Sequence, residues 1–123
     1  MGDIPLISVV DDDESVRESL PDLLREFGFA ARVFPSAQEF LASGCDEQTQ
    51  CLVLDIAMPG MSGPDLQREL KRRQKNIPII FITAQRNETL RPQVLQQGAV
   101  ECLFKPFSES ALQQALNLAL GTS

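Results

Sequence analysis

Short apolar runs alternate with longer stretches of helical periodicity along this chain. The runs at residues 6–10, 30–34, 51–54, 79–83 and 101–104 have the composition of buried strands. Between them, apolar residues recur at spacings of three and four, which predicts amphipathic helices. Because every strand is followed by a helix, we expect parallel βαβ units and a sheet covered on both faces. The pattern predicts an α/β, doubly wound fold with five strands and five helices.

The first predicted helix follows the acidic residues 11–14 and ends at Gly28. Pro21 lies inside this helix, where a missing N–H and a ring clash should bend it near residues 17–21 or divide it. The starts of other helices are indicated by the capping box from Ser36 to Glu39, by Gly63-Pro64 and by Ser108. The fourth helix, at about residues 89–97, is the weakest of the five.

Composition excludes several classes of protein. With 123 residues, 43% of them hydrophobic and 23% charged, the chain suits one globular domain, residues 1–123. It has neither an apolar run of roughly 20 residues nor a signal peptide, so we expect a cytoplasmic protein that does not enter the membrane. A net charge of −6 gives no attraction to nucleic acid or anionic lipid.

The cysteines and the absence of histidine limit the kinds of metal site and reaction that the chain could support. The three cysteines, Cys45, Cys51 and Cys102, lack CxxC spacing, and no histidine is present to complete a zinc site. We therefore expect free thiols. Without histidine, any acid–base or nucleophilic step must use carboxylates, lysine, hydroxyl groups or a metal.

Polar side chains that could bind a ligand or take part in a reaction follow the ends of four predicted strands. Asp11 and Asp12 follow the first strand, Asp55 the third, Thr83 the fourth and Lys105 the fifth. If the first and third strands are neighbours, three carboxylates share one crevice at the sheet edge where ligands collect. Their mutual repulsion calls for a hard divalent cation, for which Mg²⁺ is the best candidate. A hydroxyl and an ammonium beside them could hold phosphoryl oxygens while Asp55 attacks phosphorus.

Each group taken alone also has an ordinary structural explanation. The acidic run could simply favour a helix N-terminus, and Asp55 could cap a turn. Thr83 is a residue that strands prefer, and Lys105 could be a solvated surface cation. The shared position at strand ends is what favours a functional site.

Four motifs together resemble those of response regulator receiver domains, from about residue 4 to residue 120. They are Val10-Asp11-Asp12-Asp13, the segment from Leu54 to Gly63, Ile82-Thr83-Ala84 and Lys105-Pro106-Phe107. The segment after Asp55 is similar to that of the nitrogen-fixation regulator, FixJ-like branch. The resemblance implies a flavodoxin-like fold with strand order 2-1-3-4-5.

The resemblance also implies the phosphoryl and metal chemistry of the site. Asp55 would accept a phosphoryl group from a sensor histidine kinase. Mg²⁺ would be bound directly by Asp12 and Asp55, by the backbone carbonyl of Ala57, and by Asp11 through water.

Further groups would hold the phosphoryl oxygens. These are the side chains of Thr83 and Lys105 and the backbone amides of Ile56 and Ala84, and the Lys105-Pro106 peptide bond would be cis.

The resemblance is weaker at the residues through which receiver domains signal, called here the switch. Receiver domains signal through a threonine, here Thr83, and through an aromatic residue three positions before the lysine, which is Cys102 in this chain. We expect Phe104 to face the other side of the sheet. The switch should therefore rely on Thr83 and the loop at residues 84–88.

The sequence thus predicts a signalling phosphoacceptor that is not an enzyme and that acts on a separate output, expected to be transcriptional. The resemblance implies that the surface of the fourth helix, fifth strand and fifth helix is where a homodimer would form. The alternative is a stand-alone or phosphorylation-independent receiver that acts as an interaction module. A phosphohydrolase would need a second acid where Ala57 stands, and a nucleotide-binding module would need a glycine-rich loop after the first strand.

Overall fold

The chain, described here from a computed structural model that covers residues 4–85 and 87–121, folds around a parallel sheet with strand order β2-β1-β3-β4-β5. The strands are β1 (Leu6–Val10), β2 (Ala30–Phe34), β3 (Thr49–Asp55), β4 (Ile79–Thr83) and β5 (Glu101–Phe104). The helices are α1 (Glu14–Glu26), α2 (Ala37–Ser43), α3 (Gly63–Arg72), α4 (Leu90–Gln96) and α5 (Glu109–Leu120). The predicted fold class and strand order are confirmed.

Side chains alternate between the two faces of the sheet and form two cores. On one face Val9, Val53 and Ile80 pack with residues of α1 and α5. On the other face Leu54 and Phe81 pack with residues of α2, α3 and α4. Both faces of the central strands are therefore buried, as expected for a parallel sheet covered by helices.

β3 begins at Thr49, two residues earlier than the sequence predicts. Thr49 pairs with Leu6, and its hydroxyl donates to the Cys45 carbonyl at 2.7 Å. Because a hydroxyl has one hydrogen, the Ser8 hydroxyl, 2.6 Å away, must donate to Thr49. These buried bonds allow a polar residue to begin a core strand.

Side-chain caps begin four of the five helices. Asp13 caps α1, Ser36 caps α2, Ser62 caps α3 and Ser108 caps α5. Thr89, which precedes α4, makes no such bond from its side chain. The helix with the weakest sequence signal therefore also lacks the usual stabilisation of its first turn.

Helix α1 continues through Pro21, so the proline does not divide it into two helices. The bend expected near residues 17–21 stays a prediction. All three cysteines are free and buried, as predicted, and burial raises the pKa of the Cys51 thiol to about 12.

Some sequence features fall on residues that the structure does not describe. Residues 1–3, which entered the argument against a signal peptide, and Arg86, in the expected switch loop, lie outside the described ranges. Within those ranges, no helix combines the length and apolar character that crossing a membrane requires.

Candidate functional site

Three carboxylates meet at the C-terminal edge of the sheet. β1 and β3 are adjacent, and Val10 pairs with Leu54, so the residues that follow them lie side by side. One carboxylate oxygen from each of Asp11, Asp12 and Asp55 lies within 4.8 Å of the other two. The structure thus brings together the three acids that the sequence places at neighbouring strand ends.

Lys105 reaches this cluster from the far side of the sheet. Lys105 follows β5, and β4 and β3 separate that strand from β1. Its Nζ atom nevertheless lies 2.8 Å from Oδ2 of Asp11, which follows β1. The peptide bond between Lys105 and Pro106 is cis, as predicted. Burial lowers the pKa of Lys105, but the hydrogen bond and charge of Asp11 outweigh it, and the net shift is upward. The ammonium group is therefore a permanent positive charge at the site.

Asp55 lies at the centre of the cluster and is 6% exposed. Burial raises the pKa of its carboxyl group to about 7, and the negative charge of Asp11 adds to this effect. The positive charge of Lys105 opposes the shift without cancelling it. A cation bound among the three acids would favour the ionised, nucleophilic form of Asp55.

The donor set fits a hard divalent cation such as Mg²⁺, because it consists of carboxylate oxygens. The three carboxylates differ in how freely they could contact such a cation. Asp11 is fully buried, and its two oxygens accept hydrogen bonds from Lys105 Nζ and from the Asp13 backbone N–H, at 2.8 and 2.9 Å. Asp12 is exposed and faces Asp55. Asp12 and Asp55 are thus better placed than Asp11 to contact a cation directly.

The strand next to β3 places a hydroxyl at the same edge. Thr83 ends β4, is 1% exposed, and its Oγ1 accepts a hydrogen bond of 3.0 Å from the Gln85 backbone N–H. Ala84 and Ala57 lie exposed in the loops that follow β4 and β3. All three therefore follow strands that end at the same edge of the sheet as the acidic cluster.

The hydrogen bond of the Ile56 amide contradicts the expectation that this amide binds a phosphoryl oxygen. Its backbone N–H donates to the Ile82 carbonyl at 3.1 Å and so extends the pairing of β3 with β4. That amide is engaged in the sheet and is not available to a phosphoryl oxygen. The residue directly after a strand often keeps the strand's hydrogen-bond pattern, which a boundary predicted from apolar residues does not reveal.

Gly63 is a residue of the site that the sequence analysis treated only as a helix start. Its N–H donates to the Ile56 carbonyl at 2.9 Å. A Cβ atom at this position would lie 2.4 Å from the Asp55 carbonyl oxygen and 2.9 Å from the Phe81 ring. Glycine is therefore needed for the start of α3 to pack against the backbone of Asp55.

Arg17 is a second residue that the sequence analysis missed. Its Nη1 atom donates to the Asp11 carbonyl at 2.9 Å and ties the first turns of α1 to the end of β1. The bond connects residues six apart, which helical periodicity alone does not predict.

The orientation of Phe104 differs from the one expected from the sequence. Side chains alternate along a strand, so Cys102 and Phe104, two residues apart, share a face, and the expectation that Phe104 points to the other side is wrong. Cys102 is buried in the core beside α4, while Phe104 lines a groove of about 500 Å³ with Arg91, Pro92 and Leu95. The aromatic ring is thus present on the face beside α4, two positions nearer the site than Cys102.

Comparison with known proteins agrees with this geometry. Residues 7–117 match the model of the response regulator receiver domain. Nodulation protein W of Bradyrhizobium diazoefficiens is 43% identical over 111 residues, covering 90% of this chain and 49% of that protein. Transcriptional regulatory protein FixJ of Azorhizobium caulinodans is 38% identical over 117 residues, covering 95% of this chain and 56% of that protein.

A solved structure of the response regulator StyR is similar with a TM-score of 0.88 and 46% identity, covering 97% of this chain and 60% of that one. The chain spans about half the length of the curated relatives it matches. The family match covers most of the chain, and the fold, strand order and acidic cluster agree with it. The chain belongs to the response regulator receiver domain family of two-component signalling proteins.

Proposed function

We propose that Asp55 accepts a phosphoryl group from a sensor histidine kinase. The observation that carries this proposal is the meeting of Asp11, Asp12 and Asp55 with the Lys105 ammonium at one sheet edge. An Asp55 carboxylate oxygen attacks the phosphorus of a phosphohistidine, the P–N bond breaks, and the nitrogen leaves with its electron pair and takes a proton. The product is an acyl phosphate on Asp55.

Mg²⁺ would be bound directly by Asp12, Asp55 and the Ala57 carbonyl, and by Asp11 through water. The ion would neutralise negative charge on the phosphoryl oxygens. Lys105 is held close to Asp55 by its ion pair with Asp11. Its ammonium group can bind a phosphoryl oxygen with a small movement, because it already lies over the site.

Thr83 and Ala84 bind the remaining phosphoryl oxygens through the side-chain hydroxyl and the backbone N–H. To do so, the Thr83 hydroxyl turns from Gln85 toward Asp55, and this is the step that links phosphorylation to the loop after β4. Cys102 lies behind this loop as a small core residue and takes no part in an aromatic movement. The Ile56 amide has no role in this proposal.

The chain is a signalling phosphoacceptor that promotes only its own phosphotransfer and dephosphorylation. We assign residues 1–123 to one receiver domain whose output is transcriptional, because relatives such as FixJ of Azorhizobium caulinodans are named as transcriptional regulators. The surface of α4, β5 and α5 is the proposed homodimer face. The three free cysteines suit the reducing cytoplasm, where we place the protein.

The test is to incubate the protein with Mg²⁺ and acetyl phosphate. We expect a mass increase of one phosphoryl group in a denaturing quench, and faster loss of acetyl phosphate in ³¹P NMR spectra even if the product is short-lived. Asp55→Asn should abolish both, whereas Asp22→Asn, an exposed acid of α1, should change neither. A wild-type protein that takes up no phosphoryl group and consumes no acetyl phosphate would contradict the proposal and favour a phosphorylation-independent interaction module. Undiminished labelling of Asp55→Asn would show that the phosphoacceptor is a different residue.

A further inference from the structure

A second concave site lies at the edge of the sheet opposite Asp55. It is a cavity of about 320 Å³ between the end of α3 and the segments that lead into β4 and β5. Its walls are mainly apolar and include Leu70, Ile77 and Val100. This volume and lining fall within the range of small-molecule sites, roughly 300–1,000 Å³.

Gln67 lines this cavity and carries a buried polar atom without a partner in the described part of the chain. The residue is 3% exposed, and its Nε2 atom donates to the Gln97 carbonyl at 3.2 Å. Its Oε1 atom is buried and has no hydrogen-bond partner among the described residues. Rotating the amide would set two carbonyl oxygens against each other, so Oε1 must be the atom that is left over. A turn of the Gln67 side chain toward the cavity would expose this acceptor to a hydrogen-bond donor on a ligand.

Part of the cavity lining is positively charged, although the chain as a whole carries a net charge of −6. Five of its eleven lysine and arginine residues fall within residues 68–75. Two of these, Lys71 and Lys75, line the cavity. Lys71 donates to the Gln97 carbonyl, and Lys75 pairs with Glu47, whose side chain is 69% exposed. Since such an exposed pair contributes little stability, Lys75 can exchange Glu47 for a bound anion.

We propose that this cavity binds a small amphipathic carboxylic acid that also carries a hydrogen-bond donor. The carboxylate contacts Lys71 and Lys75, and the apolar body packs on Leu70, Ile77 and Val100. The donor satisfies Gln67 Oε1 after the Gln67 side chain turns toward the cavity. The site is separate from the Asp55 cluster and requires neither phosphorylation nor Mg²⁺.

The test is a titration of the unphosphorylated, ¹⁵N-labelled protein, with chelator present, followed by amide chemical shifts. The probes are 4-hydroxybenzoate, 4-hydroxyphenylacetate and indole-3-acetate, each of which has a carboxylate, an aromatic body and a donor. We expect at least one to shift the backbone amides of Gly98 and Val100 and the side-chain amide of Gln67. Its uncharged primary amide should bind at least fivefold more weakly.

Two variants separate the two polar contacts. Lys75→Gln should weaken the active probe at least fivefold, whereas Arg25→Gln, a matched change on the distant helix α1, should leave it unaltered. Gln67→Leu should abolish the preference for the probe over its analogue without the donor. An unchanged pattern of amide peaks away from the cavity shows that each variant is folded.

The proposal is overturned if none of the three probes shifts the cavity amides up to its solubility limit. It is also overturned if Lys75→Gln and Arg25→Gln bind alike. Because no phosphodonor is present, neither result bears on the proposed role of Asp55.

Discussion

Individual acidic residues at the end of β1 have distinct roles because the strand stops at Val10 and α1 starts at Glu14. Asp11 is buried and paired with Lys105, and Asp12 is exposed beside Asp55. Asp13 accepts hydrogen bonds from the backbone N–H and hydroxyl of Ser15, which lower its pKa. Neighbouring aspartates are therefore divided between the acidic cluster and the cap of α1.

This division predicts opposite outcomes for two neighbouring substitutions. Asp12→Asn should weaken Mg²⁺ binding at least tenfold, because it removes a charge that the proposed site uses to coordinate the ion directly. Asp13→Ala should leave Mg²⁺ binding within twofold of wild type and cost about 1 kcal/mol of stability through loss of the cap. Calorimetric titration measures the first effect, and urea unfolding followed by circular dichroism measures the second, since the chain has neither Trp nor Tyr. Equal Mg²⁺ affinity of the two variants would contradict the assignment.

The raised pKa of Asp55 predicts a pH dependence of stability when Mg²⁺ is removed with chelator. The folded pKa is about 7, against about 3.9 for an unfolded aspartate. Between these values the folded state binds more protons than the unfolded state, so this group makes the free energy of unfolding fall as pH rises. Above about pH 7 its contribution is constant.

Asp55→Asn isolates the contribution of the acidic cluster, because the carboxyl groups away from it are common to both proteins. At about pH 8 the variant should be more stable than wild type by on the order of 1–2 kcal/mol, and the difference should vanish near pH 4. Saturating Mg²⁺ should stabilise the wild type and have little effect on the variant. Urea unfolding across this pH range provides the measurement, and parallel curves for the two proteins would show that Asp55 titrates normally.

Among the elements, the start of α3 is the one most tightly constrained by the site. A Cβ atom on Gly63 would overlap the Asp55 carbonyl oxygen, so Gly63→Ala should cost about 3 kcal/mol and slow phosphorylation by acetyl phosphate. Gly28→Ala is the matched control, because Gly28 has a φ of 96° but open space around it. It should cost about 1 kcal/mol, through backbone strain alone, and leave phosphorylation unchanged. Equal losses in unfolding free energy would mean that α3 can move away from Asp55.

The alternation of strands and helices was predictable from the sequence, because apolar spacing reports which face of each element is buried. β1, β2, β4 and β5 have the predicted bounds. The early start of β3 was not predictable, since Thr49 and Gln50 look like loop residues until Ser8 and Cys45 are seen to satisfy Thr49.

The candidate site was predictable to a similar extent. Strand ends in parallel sheets share an edge, so the meeting of Asp11, Asp12 and Asp55 followed from topology. The close approach of Gly63 and the bond made by Arg17 depend on how helices pack against that edge, which periodicity does not specify. The face of the sheet on which Phe104 lies was predictable, because residues two apart in a strand share a face. The expectation of the opposite face applied this rule wrongly.

In the molecule as a whole, α4 is a weakly anchored helix. It has seven residues, buries only Val94 fully, contains Pro92, which lacks an N–H, and has no side-chain cap. Short helices of this kind depend on tertiary contacts for their stability. The strands on either side of Asp55 are buried on both faces, so a change at the site should be absorbed by α4 and the loop before it.

We therefore predict that Mg²⁺ with beryllofluoride, a phosphoryl mimic, slows amide hydrogen exchange mainly between Ala84 and Gln97. Binding of the mimic by Thr83 and Ala84 should order the loop and the first turn of α4, while exchange in α1 and α5 changes less. Mass spectrometry of peptides from quenched samples measures this distribution. Thr83→Ala should still bind the mimic but lose most of the response in α4, and Asp55→Asn should show no response anywhere. A response that is equally large in α1, or that persists in Thr83→Ala, would mean that the signal leaves the site by a route other than Thr83 and α4.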